Sequence, residues 1–205
     1  MDAAAWDARY ATADLVWTGD ANQFVAAEAA DLPPGRALDL AAGEGRNAIW
    51  LAERGWTVTA VDFSAVGLAK GEKIADKLGL SGRIEWVCAD ATAWDPTPGT
   101  YDLVIVAYLH LPAPDLEAVM RRAALAVAGG GRLIAVGHDL ANLEGGVGGP
   151  QDPAILWRAP KVAAWLADAG LSVLHAGVVA RDTGSGRAVD TLVTAAGPAP
   201  ADPAS

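Results

Sequence analysis

The sequence predicts an α/β fold: a doubly wound, mostly parallel seven-stranded sheet that ends in an antiparallel C-terminal hairpin. Three observations carry this. Short apolar, β-branched runs alternate with helix-period segments from Arg36 to Ala169, the pattern of a parallel sheet with helices on both faces. Glycines punctuate the alternation at Gly43 and Gly45, Gly55, Gly79 and Gly129 to Gly131. The last two apolar runs, Leu171 to Ala180 and Arg187 to Ala195, are joined through Asp182-Thr-Gly-Ser-Gly186. That link is too short for a crossover helix, so the two runs pair antiparallel.

Composition narrows the class. The chain has 205 residues, is 52% hydrophobic and carries a formal net charge of −10. The length fits a single domain over residues 1–196, with a helical N-terminal segment over 1–31 and a disordered tail over 197–205 rich in Pro and Ala. No apolar run reaches the roughly 18 residues of a membrane helix. Nor does a basic stretch precede an apolar one at the N-terminus. The single cysteine, Cys88, allows no internal disulfide. These features lead to the expectation of a cytoplasmic protein, monomer or homodimer. The acidic balance argues against nucleic-acid and anionic-membrane partners, which need a basic surface.

Taken in order, residues 2–31 read as helical with a break near Thr18-Gly-Asp20, and Trp6, Tyr10 and Trp17 fall close to one face. Such a face also suits an amphipathic helix packed on the core. Pro33-Pro34-Gly35 then launches the first strand, Ala37 to Ala42. Gly43 and Gly45 form a tight turn into a helix that Gly55 stops. Trp56 to Asp62 is the second strand, and Ser64 caps the helix that follows to Leu78. Arg83 to Ala89 and Tyr101 to Ala107 are the third and fourth strands. A helix over 115–128 stops at three glycines, and Arg132 to Gly137 is the fifth strand. Residues 138–157, with Gly145-Gly-Val-Gly-Gly-Pro150, show no period and read as a functional or mobile loop. Ala159 to Ala169 is the last helix.

Ligands in such sheets sit at the carboxyl ends of the strands. Asp39, Gly43, Asp62, Asp90 and Ala107 all fall there. A glycine turn admits a ligand to backbone that a Cβ would shield. Asp62, seventeen residues after Gly45, can accept from a ribose diol. Gly43-Glu-Gly45 with Ala48 also fits the weak dinucleotide pattern Gly-x-Gly-x-x-Ala. A dinucleotide leaves Asp39 and Asp90 unexplained. A mononucleoside with a charged amino-acid tail uses both: the ammonium near Asp39, the adenine amino group at Asp90, and Phe63 as an apolar wall for the base.

With those residues in place, the chain resembles the class I S-adenosylmethionine-dependent methyltransferases, whose fold is Rossmann-like, from about residue 6 to 195. Their first motif appears as Asp39-Leu-Ala-Ala-Gly-Glu-Gly45, with Ala41 where the family usually has its first glycine. The second motif's acid matches Asp62, the third's matches Asp90, and the position after strand four matches Ala107. Gly45-Arg-Asn-Ala-Ile-Trp-Leu-Ala52 is similar to the tellurite-resistance methyltransferases. Trp6-Asp-Ala-Arg-Tyr10 with Trp17 is similar to the N-terminal aromatic segment of the thiopurine methyltransferases, which closes over the cofactor. The resemblance implies S-adenosylmethionine as cofactor, S-adenosylhomocysteine as product, and binding by Trp6, Tyr10, Trp17, Asp39, Ala41, Gly43, Gly45, Asn47, Asp62, Phe63, Ser64, Asp90, Ala91 and Ala107.

The sulfonium is an activated methyl donor, so the protein mainly aligns a nucleophile. Tyr108, His110 and His138 are candidate substrate contacts, and His110 and His138 candidate catalytic groups. Asp139 lies beside them. Each is also a plausible structural hydrogen-bonder. His175 reads as a core or edge residue, and Cys88 as buried and inert. No Cys/His cluster points to a metal. Ala107-Tyr-Leu-His110 lacks the Asn/Asp-Pro-Pro-aromatic motif of nucleic-acid amino methyltransferases, which favours a small-molecule acceptor: a thiol, a metalloid oxyanion or a hydroxyl. The alternatives are a non-catalytic S-adenosylmethionine-binding protein and, more weakly, an NAD-dependent oxidoreductase.

Overall fold

The computed structural model describes residues 3–12 and 19–199. The seven strands form one mixed sheet in the order β3-β2-β1-β4-β5-β7-β6, with the two C-terminal strands antiparallel. The chain forms two compact units, Met1–Asp95 and Pro96–Ser205.

The first unit contains α1 (Ala3–Ala11), α2 (Gln23–Ala29), β1 (Arg36–Leu40), α3 (Arg46–Glu53), β2 (Thr57–Asp62), α4 (Ala65–Lys77) and β3 (Ile84–Cys88). β1, β2 and β3 pair in parallel. α3 buries Ala48, Ile49, Leu51 and Ala52 on one face. It ends where Gly55 takes φ 91°, the Gly55 N–H donates to Ala52 and the Trp56 N–H to Leu51. This is a Schellman stop, and the Trp56 side chain is buried beyond it. Ser64 caps α4, its Oγ accepting the Gly67 N–H at 3.0 Å. Cys88, expected buried, is exposed, because it is the last residue of an edge strand.

The second unit contains β4 (Tyr101–Ala107), α5 (Ala113–Ala126), β5 (Val127–His138), α6 (Ala159–Asp168), β6 (Ser172–Asp182) and β7 (Arg187–Ala196). Two readings of the sequence need correction here. The helix expected to run to Ala128 ends at Ala126, and β5 begins at Val127, passing through the three glycines. The register beside β4 jumps there, from Tyr101↔Val127 to Leu103↔Arg132. A Cβ on Gly131 would meet the carbonyl oxygens of Tyr101, Ala128 and Asp102 at 3.0–3.1 Å, so these glycines form a bulge inside a strand. Of the tail expected to be disordered, residues 197–199 are described and two bonds hold them, the Gly197 N–H donating to Gly131 and the Gly130 N–H to Pro198; residues 200–205 lie outside the described residues.

Residues 138–157 are not structureless. Asp139 caps a short 3-10 helix, Leu140–Leu143, and pairs with Trp157 in a parallel bridge. Asn142 is buried, accepts the Val189 N–H at 2.8 Å and donates to the Gly148 carbonyl at 2.9 Å. The periodicity was invisible because the segment is held by side-chain bonds rather than by repeating backbone ones.

Candidate active site

In the first unit the candidate site is the turn after β1. Ala41, Gly43 and Gly45 have φ of 60°, 59° and 73°. The chain thus turns left-handed three times in five residues, and Ala41 does so against the preference of its Cβ. The Gly45 N–H donates to Ala42, and Gly45 starts α3 without a side-chain cap. A Cβ on Gly45 would strike the Trp86 ring, and one on Gly71 would meet the same ring and the Glu44 carbonyl at 2.6 and 2.7 Å. Trp86 thus wedges between the turn and α4, so Gly45 is required for packing. Glu44, between the glycines, is buried and ion-paired with Lys70 at 3.3 Å.

Two buried carboxylates flank this turn. Asp39 is 0% exposed, and neither oxygen has a well-aligned hydrogen bond. Burial pushes its pKa up to about 7, with Asp62 adding to the rise; Arg46, the Ala48 N–H and Asn47 oppose it only in part. Asp62 accepts the Gly43 N–H at 2.9 Å and the Ser64 N–H at 2.8 Å, one on each oxygen. Burial raises its pKa as well; those two bonds oppose the rise, and Asp7 adds to it. Each Asp62 oxygen keeps a second lone pair for a ligand. Asp62 therefore also positions the turn and the start of α4, the structural role that competed with a ribose contact.

The other sequence candidates of this unit lie as follows. Asn47 is buried and accepts the Asn22 N–H at 3.0 Å, joining α3 to the cap of α2. Phe63 and Ala91 are half-buried, and Ser64 is buried and bonded to Asp7. Asp90 is exposed, and its Oδ1 accepts the N–H and hydroxyl of Thr92, both at 2.8 Å. Tyr10 is buried against Gly67, where a Cβ would meet its ring at 3.1 Å and the Gly43 carbonyl at 3.1 Å. Trp6 packs on Tyr10 with ring centres 5.4 Å apart. α1 therefore lies next to the glycine turn. Trp17 lies outside the described residues.

In the second unit, Ala107 closes β4 half-buried, and Tyr108 takes a left-handed φ of 56°. Backbone strain in a bulky residue marks a conformation held for a purpose or by its surroundings. Its hydroxyl donates to Asp190 Oδ2 at 2.8 Å. Arg181 Nε reaches the same oxygen at 2.7 Å and the Tyr108 hydroxyl at 3.0 Å. His138 Nδ1 stands 3.0 Å from the other oxygen, Asp190 Oδ1, with its N–H off the line of a straight bond. Burial pushes the Asp190 pKa up, but His138, Tyr108 and Arg181 outweigh it and the net shift is downward. His110 stacks on His138 at 5.4 Å and 18°, and its Nδ1 lies 3.1 Å from the Ile155 carbonyl. Burial drives the His110 pKa down to about 4, so it is neutral, with Nε2 buried and unbonded. Asp139 is occupied by Thr191 and the Ala141 N–H.

The sequence singled out Tyr108, His110 and His138, which the structure brings together, but gave no place to Asp190 and Arg181. The available signal was an acid inside the apolar run Ala188-Val-Asp-Thr-Leu192, which needs a partner when buried. His175 is exposed on the edge strand β6. Among the described residues no cluster of three or more His, Cys, Asp or Glu could hold a metal, and no helix is long and apolar enough to cross a membrane.

Residues 37–131 match the family described as a methyltransferase domain. The chain is 34% identical over 124 residues to demethylmenaquinone methyltransferase from Thermus thermophilus, covering 60% of this chain and 54% of that protein. It is 33% identical over 72 residues to ribosomal RNA small subunit methyltransferase C from Alcanivorax borkumensis, covering 35% of this chain and 21% of that one. The chain thus spans from about a fifth to about half the length of these curated relatives. Among solved structures it is similar to one from the conversion of a disulfide bond into a thioacetal group during echinomycin biosynthesis (TM-score 0.74, 22% identity, 96% of this chain and 93% of that). It is also similar to TehB from Haemophilus influenzae (TM-score 0.71, 17%, 86% and 62%) and to the [4+2]-cyclase SpnF (TM-score 0.70, 18%, 86% and 79%). The fold is that of the Rossmann-like methyltransferases. Because a cyclase shares it, the activity must be argued from the site.

Proposed function

We propose that the protein transfers a methyl group from S-adenosylmethionine to a small-molecule acceptor. The observation that carries this is Asp39: a fully buried carboxylate without a well-aligned partner, at the carboxyl end of β1, beside a left-handed glycine turn. An unsatisfied buried carboxylate is costly, and a ligand ammonium removes the cost. Asp62 offers its remaining lone pairs to a ribose diol, and Asp90 Oδ2 an acceptor for an adenine amino group. Phe63 gives the base an apolar wall, and Trp6 and Tyr10 on α1 cover the turn. A dinucleotide has no ammonium to donate to Asp39, its nicotinamide cation carrying no N–H, which disfavours the oxidoreductase reading.

The bound cofactor supplies an activated methyl group, so the protein's part is to bind, orient and exclude water. An acceptor of modest size suits the second unit, where the rings of Tyr108, His110 and His138 cluster with centres 5.0–6.3 Å apart. The net charge of −10 opposes a polyanionic acceptor. The test is transfer of tritium from methyl-labelled S-adenosylmethionine to a panel of thiols, selenite, tellurite and phenols. Label in at least one small acceptor is expected. Cofactor binding without transfer to any of them supports the non-catalytic alternative.

A further inference from the structure

Asp190 sits directly opposite His138 in the antiparallel pair of β5 and β7. Side chains of such a pair share a face and stand within contact distance. Asp190 is 0% exposed, yet it gathers three groups: the Tyr108 hydroxyl, Arg181 Nε and His138 Nδ1. A buried carboxylate held this way remains charged, because each neighbour favours the anion. The loop lies against His138 rather than Asp190. Gly149 has φ 74°, and a Cβ there would fall 2.6–2.8 Å from His138 Cδ2, Cγ and Nε2. Only glycine lets the chain lie on that ring. His110 stacks against it with planes 18° apart. The imidazole is therefore confined by backbone at one edge and by a second ring, with a carboxylate oxygen 3.0 Å from Nδ1.

From this arrangement we infer that His138 and Asp190 form a general-base dyad, and that the methyl acceptor is a hydroxyl compound of the phenol or enol type. This rests on the methyl-transfer reading above. A thiolate or a metalloid oxyanion is already a competent nucleophile near neutral pH and has no use for an oriented imidazole. A hydroxyl must lose its proton as it attacks. With Nδ1 3.0 Å from Asp190 Oδ1, the carboxylate favours the Nδ1–H tautomer, and Nε2 then carries the lone pair. His138 Nε2 takes the hydroxyl proton as the acceptor oxygen bonds to the methyl carbon, and the electrons of the broken carbon–sulfur bond stay on sulfur. The products are a methyl ether, S-adenosylhomocysteine and a proton, which His138 passes to water. Asp190 touches no reacting atom; it is a positioning residue. Arg181 and Tyr108 keep it charged and in place. His110 does not compete as base, since it is too weakly basic and its Nδ1 is engaged with the Ile155 carbonyl.

The test uses the full chain, whose three histidines make nitrogen-15 imidazole spectra assignable with His110→Gln and His175→Gln. Neutral His138 is expected as the Nδ1–H tautomer in the parent, with a substantial shift toward Nε2–H in Asp190→Asn. With labelled S-adenosylmethionine, catechol and para-nitrophenol are expected to accept methyl, and para-nitrothiophenol at no more than a background rate. His138→Gln is expected to lower kcat on catechol by roughly 10²- to 10⁴-fold while leaving KM nearly unchanged, and to affect the more readily ionised para-nitrophenol less. S-adenosylhomocysteine should bind the parent, His138→Gln and Asp190→Asn alike. Failure of the parent to bind it overturns the methyl-transfer reading itself. Binding that is intact, with an Nε2–H tautomer in the parent, no turnover of either phenol, catechol turnover indifferent to His138→Gln, or thiophenol turnover above background, overturns this inference alone. Should Asp190→Asn fail to fold, the parent spectrum and His138→Gln still decide.

Discussion

The Gly43 N–H donates to Asp62 Oδ2 at 2.9 Å, and so ties the turn after β1 to the tip of β2. One carboxylate thereby shapes the loop a cofactor would touch and offers lone pairs to the same cofactor. Asp62→Ala is expected to weaken S-adenosylhomocysteine binding by about 10- to 100-fold, the loss of a charge-assisted bond. It should also lower the melting temperature, since Gly43 and Ser64 lose their acceptor. Calorimetry and a thermal scan read both. A lower melting temperature with unchanged affinity leaves Asp62 as a helix-start and loop anchor only.

Trp86 wedges between Gly45 and Gly71. Gly45→Ala is expected to destabilise by roughly 1–3 kcal/mol through overpacking and left-handed strain. Trp86→Leu alone should also destabilise, through lost burial. The two together should cost less than their sum, because the smaller ring-less side chain makes room for the methyl group. Denaturant melts of the four proteins give the coupling. Simple additivity means the clash is not what keeps Gly45 a glycine.

Ala41 holds φ 60° where glycine adopts that conformation freely. Ala41→Gly is expected to stabilise the protein by about 1 kcal/mol, a rise of roughly 2–4 °C in melting temperature. A fall in melting temperature shows that the Ala41 methyl packs more favourably than its strain costs.

Asp39 supplies a pH test. Its pKa in the folded chain is raised from the ordinary 3.8 to about 7. The fold thus favours the neutral acid, and that contribution is full below the unfolded value and lost as pH rises through about 7. Asn is neutral at every pH. Without ligand, Asp39→Asn is expected to be more stable than the parent by roughly 2–4 kcal/mol at about pH 8, the gap closing toward about pH 4. Paired melts across that range measure it. A gap that is constant with pH contradicts a shifted Asp39.

Much of this was legible in the sequence because it is local. The Asp39 to Gly45 turn, the Ser64 cap and the Asp62 strand end are each written in a few consecutive residues, and the hairpin follows from a connection too short for anything else. Asp190 was not legible in that way. It meets His138 only through the register of β5 with β7, and Tyr108 across 82 positions of sequence. Trp86 likewise reads as an ordinary strand aromatic until Gly45 and Gly71 are seen on either side of it. The stretch over 138–157 looked unstructured because Asn142, rather than a repeat, holds it to Gly148 and Val189.

The central claim is that the turn between Asp39 and Asp62 binds the S-adenosyl group by its ammonium and ribose. Isothermal titration of the parent and of Asp39→Asn with S-adenosylhomocysteine and with NAD tests it most directly. Saturable one-to-one binding of S-adenosylhomocysteine to the parent, at least about 10-fold weaker in Asp39→Asn, with no heat from NAD, is the expected result. Binding of NAD in preference to S-adenosylhomocysteine, or equal binding by both proteins, contradicts it.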